Sequence, residues 1–536
     1  MRRAVVAVAA AIVLAGPTVL AFLSGGYFAE PRLIAAIVAW ALLLALALAG
    51  PAPLPCGVPG RLAVGGLTLL AAWSALSIAW APLGGPAVES VQRLVLYLGA
   101  FTVAIAVLRT RAAMRAIEPA LAGGAAIVIG YGLSGRLLPG IAELERSRSA
   151  GGRLEQPITY WNAEGALAAV GLILCARLAG DRTRPPAIRI AAAGVAPALG
   201  AGVYLSYSRG AIAVALLGLA ILVAAAPSGT QLRACALALA AAAAGAAAAA
   251  AFPGVAALEG TALERDGAAA LALMSAISAA AALAWARAVA REGQVTQREE
   301  DTRFEPPARE REARPAEPAA REREARPAEP AAAEPAARER EARPAEPAAA
   351  ERDDWLPYAR RLPAAVTALA AAVAIGLVVA GLAERPSASE LAAGAGAGRL
   401  ATVSSNRYEY WRVGLEAARD HPIQGLGAGG FRVEWLHERP IPEAVRDIHS
   451  LELEIATELG LVGLLAFGLM LGGIAAAART ALRRDPALAA GWCAAAVAWL
   501  LHASIDWDWQ LPAVTLPAIV LAGALVALAE PPLSAR

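Results

Sequence analysis

Uninterrupted apolar runs of bilayer-crossing length recur along the chain, at 4–23, 33–49, 62–81, 91–108, 119–133, 162–179, 187–205, 210–226, 232–252, 268–290, 362–383, 456–478, 488–505 and 511–529. A spanning helix needs ~20 apolar residues, because lipid offers its backbone no hydrogen-bond partners. The fifth run is short and the ninth is almost entirely alanine. The expected fold is therefore all-α: a polytopic transmembrane helical bundle of about 12–14 spans. A chain of 536 residues with 58% hydrophobic and 17% charged residues is not a soluble enzyme, a disordered scaffold or a secreted disulfide protein. Its formal charge of +2 gives no case for nucleic acid. Cys56, Cys175, Cys235 and Cys493 are scattered without CxxC spacing, so neither a metal site nor a disulfide framework is expected.

The sequence contains no lysine, so arginine alone sets the orientation. The first run follows Met1-Arg2-Arg3 and reads as a retained span, not a signal peptide. With those arginines inside, the even-numbered connections are cytoplasmic, and they carry Arg109, Arg111, Arg115, Arg177, Arg182, Arg184, Arg189, Arg233, Arg287, Arg291, Arg479, Arg483 and Arg484. Connection 134–153 breaks the pattern with Arg136, Arg146, Arg148 and Arg153. Both termini are expected in the cytoplasm.

Two long connections divide the chain. Residues 1–290 form an N-terminal transmembrane bundle, followed by the linker 291–361, a span at 362–383, a large extracytoplasmic loop at 384–455 and C-terminal spans over 456–529. The linker carries REREARPAEPAA at 309, 321 and 338, each copy with three Arg and three Glu. It has too few apolar residues to bury a core and reads as a cytoplasmic spacer. The outer loop differs. Its Tyr408, Tyr410, Trp411, Phe431 and Trp435, its histidines and its glycine-rich turns suit a small ordered helical cap bearing a site.

Four segments carry candidate chemistry. Tyr207-Ser208-Arg209-Gly210 lies between two spans, which puts Arg209 at the hydrocarbon boundary. There it either meets an anion such as a diphosphate or reaches the headgroups. Ser404 or Ser405 can cap a helix on which Arg407 and Trp411 share a face, either to hold a phosphorylated sugar or as a cation–π pair. Arg412 follows on the same helix. The string Gly425-x-Gly427-x-x-Gly430 has no preceding strand, so it reads as a tight turn and not a dinucleotide site. His449 stands where the loop enters the membrane, with Glu452 at i+3 to orient its imidazole, and could take a proton from a hydroxyl near neutral pH. His421 and His437 read as surface residues, and His502-x-x-x-Asp506 as an interhelical hydrogen bond or a second polar site.

In order, Ser208-Arg209-Gly210, Arg407 with Trp411, Pro422-Ile423-x-Gly425-x-Gly427, Phe431, His449 with Leu451-Glu452, and Glu458-Leu459-Gly460-Leu461-x-Gly463 resemble the O-antigen ligase and O-antigen polymerase family of membrane glycosyltransferases. The resemblance covers about 160–480, interrupted by the repeats, and Ser450 stands where many members have Asn. It implies a glycan moved from a polyprenyl-diphosphate carrier to a hydroxyl on a glycan, lipid or protein acceptor. The transfer would occur at the outer face of the cytoplasmic membrane, with no cofactor, nucleotide sugar or essential metal. Arg209, Arg407 and His449 become the expected catalytic residues; Trp411, Arg412, Ser208 and Glu452 become the expected substrate contacts. The competing reading is a transporter of a small anion or solute, which would place its polar groups nearer the bilayer midplane.

Overall fold

The structure, a computed structural model, describes residues 2–50, 54–258, 261–304 and 406–531. The predicted span 362–383, the repeats, the caps Ser404 and Ser405 and the first part of the outer loop lie outside the described residues. The chain divides into two units, Met1–Ala286 with Ala359–Arg536, and Arg287–Tyr358.

Among the described residues all extended regular structure is helical: α1 (Arg2–Ala21), α2 (Ala29–Ala49), α3 (Val58–Ser77), α4 (Gly84–Val107), α5 (Arg111–Leu137), α6 (Trp161–Gly180), α7 (Pro186–Leu205), α8 (Arg209–Ala225), α9 (Gly229–Ala250), α10 (Pro253–Ala256), α11 (Leu263–Phe304), α12 (Arg407–Asp420), α13 (Phe431–Glu438), α14 (Leu451–Arg484), α15 (Pro486–Ala503) and α16 (Pro512–Ala529). Eleven of these are long and apolar enough to cross a membrane, and α8, with 17 residues, is a shorter apolar helix. The protein is a polytopic helical bundle. A helix occupies each of the other thirteen apolar runs.

The helices sort by burial. In α6 every residue from Asn162 to Gly180 is buried, and α16 is buried from Pro512 to Ala527, so these two run through the protein interior. By contrast only 28% of the α1 window and 22% of the α2 window are buried. Their outward side chains, such as Val19, Ile37, Leu44 and Leu48, form the apolar surface that lipid covers. Small residues let helices meet backbone to backbone. A Cβ at Gly200 or Gly245 would strike the facing backbone where α7 meets α9, as would one at Gly66 or Gly473 between α3 and α14.

The fifth run looked short because Glu118 stands directly before it, yet α5 is 27 residues long. Glu118 is fully buried and takes Arg184 Nη2 at 2.7 Å, with Arg177 Nε at 3.9 Å. Paired in this way, the carboxylate no longer ends the span.

The connections gather at two ends. At one end, Arg111 pairs with Asp485, Arg115 bonds Thr183, and Arg177 reaches Gln231 and Ala487 O. At the other, Leu154 N donates to Leu205 O, Tyr207 Oη to Ala256 O, Tyr97 Oη to Trp509 O and Ala428 N to the Ser77 hydroxyl. These are the even- and odd-numbered connections respectively, as an up-and-down bundle requires.

On the second end sits a cap made by α12, α13 and the loops joining them to α14. Tyr410, Trp411, Val413, Phe431, Trp435 and Ile448 are its core. The cap is fastened to a break in α14 at Gly460, whose φ is 61° and ψ −157°. Carbonyls freed by the break accept from Leu426 N (at Thr457), Gly427 N (at Glu458) and Trp73 Nε1 (at Leu459), while Leu461 N and Val462 N donate to Pro422 and Ile423 O. The Glu458 carboxylate takes Gly429 N at 2.7 Å and Phe431 N at 3.3 Å. The glycine-rich string is thus a turn wrapped round an interrupted helix, and the backbone groups opened there are taken up by the cap and by Trp73 of α3.

Candidate functional site

The first turn of α12 carries Arg407 to the short connection between α15 and α16. Its Nη1 donates to Ile505 O at 2.6 Å and its Nη2 to Asp506 Oδ2 at 2.5 Å. Asp506 is 1% exposed and accepts two more hydrogen bonds. Its Oδ1 accepts the Tyr160 hydroxyl at 2.6 Å and Trp507 N at 2.9 Å, and Asn162 Nδ2 donates to the Tyr160 oxygen at 2.7 Å. Burial alone would raise the Asp506 pKa, but the Arg407 guanidinium and His502 outweigh it and hold the carboxyl below its usual value. Burial works against the Arg407 charge as well, and Asp506 reverses that, raising the Arg407 pKa.

His449 lies two residues before α14 with φ at 61°, so it is not on the helix. Its Nδ1 sits 2.8 Å from Asp447 O, and its carbonyl accepts Trp411 Nε1 at 3.3 Å. The ring lies between aromatic neighbours, with Tyr410 at 5.3 Å and Trp507 at 6.2 Å between centroids. Burial, then the Arg407 charge, lower the His449 pKa. A neutral imidazole is therefore favoured near pH 7, the form that can accept a proton.

Arg209 is the first residue of α8, half-buried, directly after the N-cap. Ser208 Oγ caps that helix by accepting Ala211 N at 3.2 Å and faces His502 Nε2 at 3.5 Å. His502 in turn contacts Asp508 Oδ2 through Nδ1 at 2.5 Å. A Cβ on Gly210 would meet Ile505 Cδ1 at 3.0 Å and His502 Nε2 at 3.2 Å. Both strands of the site thus rest on residues 502–508: the Ser208-Arg209-Gly210 corner on His502 and Ile505, and Arg407 on Ile505 and Asp506. Trp507 from the same segment packs beside His449.

Three expected substrate contacts have partners within the protein. Trp411 is 9% exposed and belongs to the cap core, edge-on to Tyr408 and bonded to the His449 backbone. Arg412 is tied along the exposed face of α12 to Glu409 at 3.0 Å and Glu416 at 3.6 Å. Glu452 accepts the Ser504 hydroxyl at 2.8 Å. The i+3 reading required His449 to be helical; the turn before Leu451 hands the imidazole to Asp447 O instead. His421 and His437 are exposed. His502 has both an interhelical contact and an acidic partner, and Asp508 rather than Asp506 holds its Nδ1.

Sequence reasoning overlooked Tyr160, Trp507 and Asp508, and it did not find the Arg407 partner in Asp506. A signal was present: Asp506-Trp507-Asp508-Trp509 puts two acids and two indoles in a connection too short to be a soluble loop.

Bundle, cap and buried polar junction define a multi-pass membrane protein with a candidate arginine–histidine site where cap meets spans. A family model described as O-antigen ligase matches residues 354–468, which supports the O-antigen ligase resemblance and, in general terms, a membrane glycosyltransferase of the ligase or polymerase kind. That stretch contains Arg407, Trp411, the glycine turn, His449 and Gly460, whereas Arg209 and Asp506 lie outside it. No curated protein sequence matches the chain.

Proposed function

We propose that the protein transfers a glycan from a polyprenyl diphosphate to an acceptor hydroxyl at the outer face of the cytoplasmic membrane. The observation carrying this reading is that Arg407, His449 and the Ser208-Arg209-Gly210 corner converge on residues 502–508 at one end of the bundle. Arg209 and Arg407 hold the diphosphate and offset the charge that grows on it as it leaves. Neutral His449 takes the hydroxyl proton while the acceptor oxygen bonds to the anomeric carbon and the bond from that carbon to the diphosphate oxygen breaks. Asp506 positions Arg407, and Ser208 with His502 positions the Arg209 corner.

The purified protein supplied with a polyprenyl-diphosphate-linked glycan is expected to form product. His449→Ala and Arg209→Ala each reduce the rate about 100-fold or more, the scale of losing a general base or a charge stabiliser. Product formation unchanged by both substitutions, or solute flux that survives them, overturns the reading.

The lowered His449 pKa makes a second prediction. A base works only when neutral, so the rate falls as pH drops through the His449 pKa. That acid limb is expected below 6.5, the ordinary histidine value. A limb above 6.5 in the pH–rate profile contradicts the assignment.

A further inference from the structure

Ser208, His502 and Asp508 come from the start of α8, the last turn of α15 and the connection after it, and none lies in the stretch that the family model matches. They make a row of contacts. Ser208 Oγ faces His502 Nε2 at 3.5 Å, and His502 Nδ1 faces Asp508 Oδ2 at 2.5 Å. The three residues are 4%, 1% and 0% exposed, so His502 and Asp508 act on a substrate only through the serine. The backbone of Asp508 is pinned as well, its carbonyl accepting from Thr515 Oγ1 at 2.8 Å and Leu511 N at 2.9 Å.

Charge decides where the protons of this row sit. The charged groups acting on His502 are Asp508, Asp506 and Arg407. Arg407 answers Asp506, which leaves Asp508 and His502 to balance each other. Asp508 Oδ1 is buried with no hydrogen-bond partner, so an ionised Asp508 beside a neutral imidazole would be a buried charge with little to stabilise it. The pair therefore holds one further proton and is neutral overall. That proton sits either on Asp508 or on Nδ1, across the short contact between them. Both arrangements leave a hydrogen on Nε2: an imidazolium carries two N–H groups, and an imidazole that accepts at Nδ1 carries its hydrogen at Nε2.

Both lone pairs of Ser208 Oγ are then taken, one by Ala211 N at the helix cap and one by His502 Nε2. Its hydroxyl hydrogen points away from both, and among the described residues no protein acceptor receives it. A buried donor left unanswered is costly. We propose that His502 and Asp508 are positioning residues that aim the Ser208 hydroxyl at the carrier diphosphate, to which Ser208 donates a hydrogen bond beside Arg209. An anion suits the place: Arg209, the next residue, is a half-buried cation, and the hydroxyl stands at the N-terminus of α8, where the helix dipole favours negative charge. A histidine with a bare Nε2 would draw the hydroxyl hydrogen to itself and withdraw it from the ligand. This role rests on the transfer reading above.

The test uses the full-length detergent-solubilised protein, isotope-labelled at its four histidines. Nitrogen NMR is expected to show His502 protonated at Nε2 at neutral pH, its signal being the one kept in His421→Gln, His437→Gln and His449→Ala alike. Equilibrium binding of polyprenyl diphosphate supplies the second readout. Ser208→Gly removes the hydroxyl at little cost to the cap and should weaken that binding about tenfold, the worth of one hydrogen bond to a charged group. The ratio of wild-type to Ser208→Gly affinity should hold while the Nε2–H signal is present and fall towards one at any pH where that signal is lost. A pair that only props the fold would not couple the two. The proposal is overturned if Nε2 is bare at neutral pH, if Ser208→Gly binds the carrier as wild type does, or if the affinity ratio and the Nε2–H signal change independently. A wild-type protein that does not bind polyprenyl diphosphate removes this role along with the transferase reading. Transfer that depends on His449, with binding indifferent to Ser208, removes this role alone.

Discussion

Asp506→Ala is expected to abolish glycan transfer and to lower the stability of the solubilised protein by about 3–5 kcal/mol, the usual cost of taking one partner from a buried ion pair. The size follows from what the residue holds. Its side chain is 1% exposed, and its two oxygens accept from Arg407, Tyr160 and the Trp507 amide. Removing it strands the Arg407 guanidinium, itself 20% exposed, and leaves the Tyr160 hydroxyl without its acceptor in a buried position. Asp506→Asn retains an acceptor but loses the charge, so it should fall between wild type and alanine in thermal unfolding. Acid provides a check with a defined sign. The folded-state pKa of Asp506 lies below its usual value, so its stabilisation is complete above the unfolded pKa and disappears as pH falls through the folded one. The Asp506→Asn protein should lack that component of acid destabilisation. A melting temperature and transfer rate equal to wild type in Asp506→Ala would mean that residues 502–508 do not anchor the site.

Apolar run length was enough to read the bundle, because a spanning helix must be apolar for about 20 residues whatever it packs against. The same criterion found α5 but drew it short, because Glu118 is paired with arginines from the end of α6 and the connection after it, a partnership no local window contains. Arg407, Arg209 and His449 could be singled out because arginine and histidine at a hydrocarbon boundary demand an explanation. What holds them could not. Arg407 and Asp506 are 99 residues apart, Tyr160 and Asp506 346 apart, and Ser208 and His502 294 apart. Helical spacing supplied Glu452 as the orienter of His449 and failed there, because the left-handed backbone at His449 breaks the i+3 relation.

Gly460→Ala should cost about as much as Asp506→Ala while touching no charged group. At φ 61° and ψ −157° this residue occupies a region of backbone space open to glycine almost alone, and forcing alanine there costs about 1–3 kcal/mol in strain. The space is closed as well. A Cβ would lie 2.8 Å from Gln424 N and closer still to Ile423 O, both backbone atoms that cannot rotate away, adding about 1–3 kcal/mol of overpacking. Relief requires either a straightened α14 or a displaced cap. A straight helix would reclaim the carbonyls of Thr457, Glu458 and Leu459 and release Leu426, Gly427 and Trp73 from them. A displaced cap would carry Arg407 off Asp506 and His449 away from Trp507. Either response removes transfer activity, so activity and thermal stability should fall together. Gly468→Ala supplies the contrast within the same helix: nothing lies within 4 Å of its Cβ, and alanine there is expected to leave stability unchanged or raise it by up to about 1 kcal/mol. If Gly460→Ala melted with wild type while Gly468→Ala behaved as stated, the break in α14 would not be what fastens the cap to the bundle.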